Sequence, residues 1–160
     1  MANYTIPKQL TLNLKGSDSV MESLKFVVPG EPRGKGRPRF RNLGKFVQTY
    51  TDKETVMYEN LVKMSYVTEY GNTIYNNGEQ LKVVIKSFQS IPKSESKKKR
   101  ELMLSGKLRP TKKPDADNIC KSVLDGLNKA AYLDDTQVVE LVCEKYYSDS
   151  PRVEVEICQL

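Results

Sequence analysis

A chain of 160 residues, 38% of them hydrophobic and with a mean hydropathy of −0.56, is long enough to bury a core without covalent staples and has no run near the roughly 20 apolar residues of a membrane span. It contains no histidine, which excludes imidazole general bases, Ser-His and Cys-His nucleophile schemes and His-ligated metals, so carboxylates and lysines must carry any chemistry. The net charge of +6 is uneven: residues 33–45 hold six basic side chains, residues 93–113 hold nine against Glu95 and Glu101, and residues 114–160 hold ten acids against four bases.

In chain order, residues 1–23 read as an N-terminal extension, in which Leu10, Leu12 and Leu14 alternate like a short strand, and 24–160 as one domain. The extension lacks a basic stretch followed by an apolar one, so no secretion signal is expected. Leu24–Val28 predicts a strand closed by Pro29-Gly30. The following GEPRGKGRPRFRNLGK is too rich in Gly, Pro and Arg for regular structure and reads as an exposed loop or irregular hairpin. Thr51 and Glu54 have the spacing of a capping box, with Val56, Met57, Leu61, Val62 and Met64 at near-helical spacing behind them. This predicts a helix over about 52–70. Asn76-Asn77-Gly78 turns the chain into a strand at about 80–89. Residues 92–113 are charged and flanked by Pro; they suit a loop or a short exposed helix. From Asp117 to Ala131 the pattern is helical, because Ile119, Cys120, Val123, Leu124, Leu127, Ala130 and Ala131 share an arc of about 140°. Gln137–Tyr147 reads as a strand. After a turn at 148–151, Val153, Val155 and Ile157 alternate with Arg152, Glu154 and Glu156. The expected fold is α/β (α+β): a small mixed sheet, packed helices and a C-terminal antiparallel hairpin.

Cys120, Cys143 and Cys158 are odd in number and lack C-x-x-C spacing, so neither a disulfide framework nor a zinc site is indicated, and a cytoplasmic location is expected. Chemistry concentrates in KKPDADNICKSVLD, residues 112–125. Asp115 and Asp117 stand two apart at a helix start, and Asp117, Lys121 and Asp125 follow one another at four-residue steps along its polar edge. Asp134 and Asp135 lie beyond its far end. A 15-residue helix is about 22 Å long, so the two acidic ends meet only if the chain after Asp135 folds back. If they met, a carboxylate cluster without histidine would favour Mg²⁺ or Mn²⁺ over zinc. The alternatives are plain ones. Aspartates at a helix start cap N–H groups and oppose the helix dipole, i,i+4 pairs are commonly solvated, and lysine runs are commonly solvated faces. Ile119 and Cys120 fit an EF-hand badly, and GEPRGKGRP is not a Walker A loop. Lys35-Gly36-Arg37-Pro38 has a weak likeness to hooks of AT-rich minor grooves.

Taken together, KPDADNICKSVLDGLNKAAYLDDTQV resembles the core signature of RusA-type Holliday junction resolvases, endonucleases common in bacteria and their phages. The matching positions are Asp115, Asp117, Asn118, Lys121, Asp125, Leu127, Tyr132, Asp134, Asp135, Gln137 and Val138, and Lys145 is similar to a lysine often found at the end of the next strand. VPGEPRGKGRPRF and YTDKETVMYENLV look like the phage-type members. The resemblance spans roughly residues 24–157; the extension and the lysine-rich insert near 92–112 depart from shorter members. It implies an α/β homodimer acting on four-way DNA junctions, with Asp115, Asp117 and Asp135 as catalytic and metal-binding carboxylates. Asp134 would assist and Lys121 would stabilise the transition state. Arg33, Lys35, Arg37, Arg39, Arg41, Lys45, Lys112 and Lys113 would contact DNA. A DNA-binding module without catalysis is the second reading. A sugar-nucleotide transferase holding a metal through D-x-D is the third, disfavoured by the short chain.

Overall fold

The computed structural model describes residues 23–160; the strand expected around Leu10–Leu14 lies outside the described residues. Ten elements follow in order: β1 (Leu24–Pro29), β2 (Arg39–Asn42), β3 (Val47–Tyr50), α1 (Lys53–Tyr70), β4 (Leu81–Ser90), α2 (Lys97–Leu104), α3 (Ala116–Leu127), a 3-10 turn at Asp135–Gln137, β5 (Val138–Ser148) and β6 (Arg152–Gln159). The main sheet has the order β1-β6-β4-β5. β6 is antiparallel to both β1 and β4, and β4 and β5 are parallel.

That order refines the expectation for the C-terminus. β5 and β6 run in opposite directions across a tight turn, as an antiparallel pair should, but β4 lies between them and takes the hydrogen bonds of both. Parallel strands need a crossover of a dozen residues or more, and the chain between β4 and β5 is long enough to hold both α2 and α3. The alternation read in β6 is real: Val153, Val155 and Ile157 are buried. They join Phe26 and Val28 of β1 and Leu81, Val83 and Ile85 of β4 beneath α1 and α3.

Helix α1 begins one residue later than its capping signature suggests. Asp52, not Thr51, is the N-cap, and its carboxylate accepts from the Thr55 amide at 3.0 Å and the Thr55 hydroxyl at 2.7 Å. These hydrogen bonds hold the Asp52 carboxyl below its ordinary pKa. The buried face of α1 is Thr55, Tyr58, Val62 and Tyr66. Of the apolar residues whose spacing predicts this helix, Val62 is buried while Val56, Met57, Leu61 and Met64 are exposed, Met57 to 71% and Met64 to 60%. Apolar residues lie on both sides of this helix, so spacing alone does not choose between them. The tyrosines win the core because their rings bury more area and Tyr66 both packs edge-on against Phe26 and donates to the Thr73 carbonyl at 2.6 Å.

Helix α3 ends at Leu127, four residues short of its apolar pattern. Lys129 takes a left-handed φ of 58°, which breaks the helix. Ala130 and Ala131 stay buried in a turn whose amides return to the Leu127 carbonyl. The loop at 30–50 resolves into a two-stranded hairpin, β2–β3, whose eight residues are all exposed. The 92–113 insert contains the short helix α2, held down by Met103 against Ile91 and Tyr147.

Helices α1 and α3 pack closely at Gly126. A methyl group there would lie 2.8 Å from the Glu59 carbonyl oxygen and 2.9 Å from the Val62 Cβ. Gly126→Ala is therefore expected to destabilise the fold by roughly 1–3 kcal/mol through overpacking, read as a lower urea midpoint at unchanged slope.

Candidate nucleic-acid interface and carboxylate site

The segment Pro32–Arg37 is a strap drawn tightly over the N-terminal ends of α1 and α3. The Lys35 amide donates to the Asn118 carbonyl at 2.8 Å, the buried Ser122 hydroxyl donates to the Arg33 carbonyl at 2.7 Å, and the Gly36 amide donates to the Thr55 hydroxyl at 3.2 Å. The glycines follow from this closeness. A Cβ on Gly34 would stand 3.0 Å from both the Asn118 and Pro114 Cβ atoms, and one on Gly36 would meet the Asp52 carboxylate and the Thr55 hydroxyl. Gly-Lys-Gly thus packs between two helix ends.

Along the strap runs a cleft of about 780 Å³ lined by Arg33, Arg37, Arg39, Asp52, Glu54, Lys113, Asp115 and Asn118, among others. Arg37, Arg39, Arg41 and Lys45 are exposed on the strap and hairpin side, Lys112 and Lys113 on the other. The cleft therefore sets Arg33, Arg37 and Arg39 of one basic window and Lys113 of the other beside Asp115. The assigned cations are not equally available. Arg33 forms an exposed pair with Glu54 at 2.5 Å, which uses the glutamate that the capping box would have required. Lys35 is turned inward, between Glu59 of α1 and Asp125 of α3, at 2.5 Å from each.

Asp115 occupies the N-cap of α3 in extended conformation, yet its carboxylate accepts no capping hydrogen bond. Asp117 is exposed in the first turn. At the other end the roles separate. Asp134 is the engaged residue: its side chain accepts from the Thr136 amide, with the Gln137 side chain completing a capping box. Bonding to Thr136 holds its carboxyl below the ordinary pKa. Lys121 has no ion-pair partner among the described residues, and Asp125 pairs with Lys35.

The convergence hoped for in the sequence does not occur within one protomer. Helix α3, with 12 residues, spans about 18 Å, with Asp115 at its start and Asp134 and Asp135 past its end. Strand β5 does return along the helix, but it delivers later residues to the D-x-D end. The Cys143 thiol reaches the Ala116 carbonyl at 3.6 Å, and the Lys145 ammonium donates to the Lys112 carbonyl at 2.7 Å. Among the described residues no three carboxylates or thiols lie close enough to hold a metal ion. Sequence reading missed Ser122, Glu59 and the two strap glycines. Their roles are contacts between distant segments, and no local pattern marks them.

Removing the Ser122 hydroxyl would leave the Arg33 carbonyl without its buried partner. Ser122→Ala is expected to cost about 1–2 kcal/mol and to speed tryptic cleavage within the strap, followed by mass spectrometry of the folded protein.

Comparison with known proteins agrees with this geometry. A family model described as Endodeoxyribonuclease RusA matches residues 29–158, which include the strap, the cleft and both acidic ends of α3. The chain is also similar to YqaN of Bacillus subtilis (strain 168), a protein named as uncharacterized, with 40% identity over 139 residues, covering 86% of this chain and 96% of that one. A strap of arginines over a D-x-D helix start, found within a match of this extent, places the chain in the endodeoxyribonuclease RusA family.

Proposed function

We propose that this protein is a divalent-metal-dependent endonuclease that cuts four-way DNA junctions as a homodimer, each site being completed by both protomers. The observation that supports it best is Asp115, an N-cap aspartate that caps nothing and opens onto a cleft rimmed by Arg33, Arg37, Arg39 and Lys113. N-cap aspartates ordinarily satisfy a helix amide. One left free beside cations has both oxygens available for a ligand.

The two-protomer site follows from length. Because α3 separates its two acidic ends, Asp135 of one chain cannot share an ion with Asp115 and Asp117 of the same chain. A two-fold axis that sets two copies of α3 antiparallel brings the acids after one helix to the D-x-D of the other, and does so twice. The helix layer is suited to such pairing. Val56, Met57, Leu61 and Met64 on α1 are all exposed, and exposed apolar groups repeated along one helix suit an association surface. A junction is itself two-fold symmetric, so two sites related by such an axis meet opposed strands.

Asp115, Asp117 and Asp135, with Asp134 beside it, are hard oxygen donors that fit Mg²⁺ or Mn²⁺; such an ion, when bound, lowers the pKa of an attacking water and neutralises the departing oxygen. Lys121, one turn from Asp117 and without an ion pair among the described residues, stabilises charge growing on the phosphate oxygens. Arg37, Arg39, Arg41 and Lys45 on one bank and Lys112 and Lys113 on the other hold backbone phosphates, so the DNA is read by shape and charge more than by base edges.

In Mg²⁺, a synthetic four-way junction should be nicked in preference to linear duplex. Equal cutting of both would keep the nuclease and discard junction selectivity. Asp115→Asn with Asp117→Asn should abolish cleavage while junction binding persists or tightens, since two negative charges leave the phosphate path; unchanged cleavage would point to aspartates that only cap and pair. A heterodimer of one Asp115→Asn chain with one Asp135→Asn chain should recover about half the wild-type nicking, having one intact site of two, whereas each homodimer stays inactive. An inactive heterodimer would mean that each chain builds its own site. Replacing Arg37, Arg39 and Arg41 with alanine should reduce the slope of log affinity against log salt by about 2–3.

A further inference from the structure

Lys35 lies in the basic window 33–45, where a phosphate contact would be expected, yet its ammonium is enclosed. Glu59 and Asp125 each approach it at 2.5 Å, and the three side chains are only 22%, 20% and 25% exposed. Burial alone would lower its pKa, but the hydrogen bonds and charges of Asp125 and Glu59 outweigh burial and raise it, so Lys35 stays charged and locked. Reaching a phosphate would require breaking both ion pairs and leaving two half-buried carboxylates facing each other.

Asp125 is also the residue one turn beyond Lys121 on α3. An aspartate there ordinarily pairs with the i−4 lysine, and in this chain that pairing would draw the Lys121 ammonium away from Asp117 and down the helix. Gly126 lets α1 come close enough for Glu59 and Asp125 to share one cation. Lys35 thereby occupies the only strong competitor for Lys121 among the described ion pairs.

We propose that Lys35 is a positioning residue: held between Glu59 and Asp125, it keeps Asp125 off Lys121 and so leaves the Lys121 ammonium without an ion pair among the described residues, one helical turn from Asp117. For cleavage this rests on the reading that Lys121 acts at the scissile phosphate; the placement of Lys121 does not.

The test compares Lys35→Met, the double variant Lys35→Met with Asp125→Asn, and a triple variant adding Glu59→Gln, which leaves no buried charge unpaired should the single variant fold poorly. Single-turnover cleavage of a junction is expected to slow about tenfold in Lys35→Met, a loss of transition-state stabilisation of the size one displaced cation produces. Junction affinity and its salt slope should be unchanged, and most of the rate should return in the double and triple variants. A salt slope lower by about one, with no rescue by Asp125→Asn, would make Lys35 a phosphate contact and overturn the proposal. An unaltered rate in folded Lys35→Met, or a slow triple variant, would overturn it as well. The side-chain ¹⁵N resonance of Lys121 gives a reading independent of cleavage. It should move in Lys35→Met and return with Asp125→Asn, and a resonance that stays put defeats the proposal even if the wild-type chain cuts no junction.

Discussion

The grip of the strap on the two helix ends is the constraint on which the rest of the site depends. A six-residue segment without regular structure carries the arginines nearest the D-x-D pair, and such a segment has no internal hydrogen bonds to hold its shape. Its order comes from outside: the Asn118 carbonyl, the Ser122 hydroxyl and the Thr55 hydroxyl each tie down one of its backbone groups. Two glycines permit approach to van der Waals distance, and Lys35 adds an ion-paired anchor on both helices. Cationic side chains are thereby presented from a fixed base. A base of this kind favours binding of an anion, because a fixed segment needs little further ordering.

Charge is arranged with the same economy along α3. A row of Asp117, Lys121 and Asp125 would ordinarily close into a chain of helical ion pairs. Here the last member is bound to another element and the first two are left open to solvent. Asp115 likewise stands in a capping position without capping. In both cases a local partner that the helix could have used is absent or diverted, and of these groups Asp115 lines the cleft under the strap.

Much of the architecture was legible beforehand because it is periodic. β1, β4 and β6 follow two-residue alternation or compact apolar runs, and the core stripe of α3 follows the helical repeat. The misreadings share a cause. Val56, Met57, Leu61 and Met64 satisfy helical spacing as well as Tyr58, Val62 and Tyr66 do, and only the neighbours in space decide which set is buried. Ala130 and Ala131 continue an apolar pattern that the left-handed Lys129 has already taken out of the helix. The site divides in the same way. Its acidic and basic residues are recognisable as a signature, but the isolation of Asp135 from Asp115 and Asp117, and the inward turn of Lys35, depend on how far α3 reaches and what lies against it. Neither is written locally.

The hairpin β2–β3 has a consequence of its own. Its eight residues are solvent-exposed, and Phe40 and Phe46 are 70% and 76% accessible. An isolated two-stranded ribbon is marginal in water. Any surface it settles against must therefore supply its order, and part of the contact energy is absorbed in doing so.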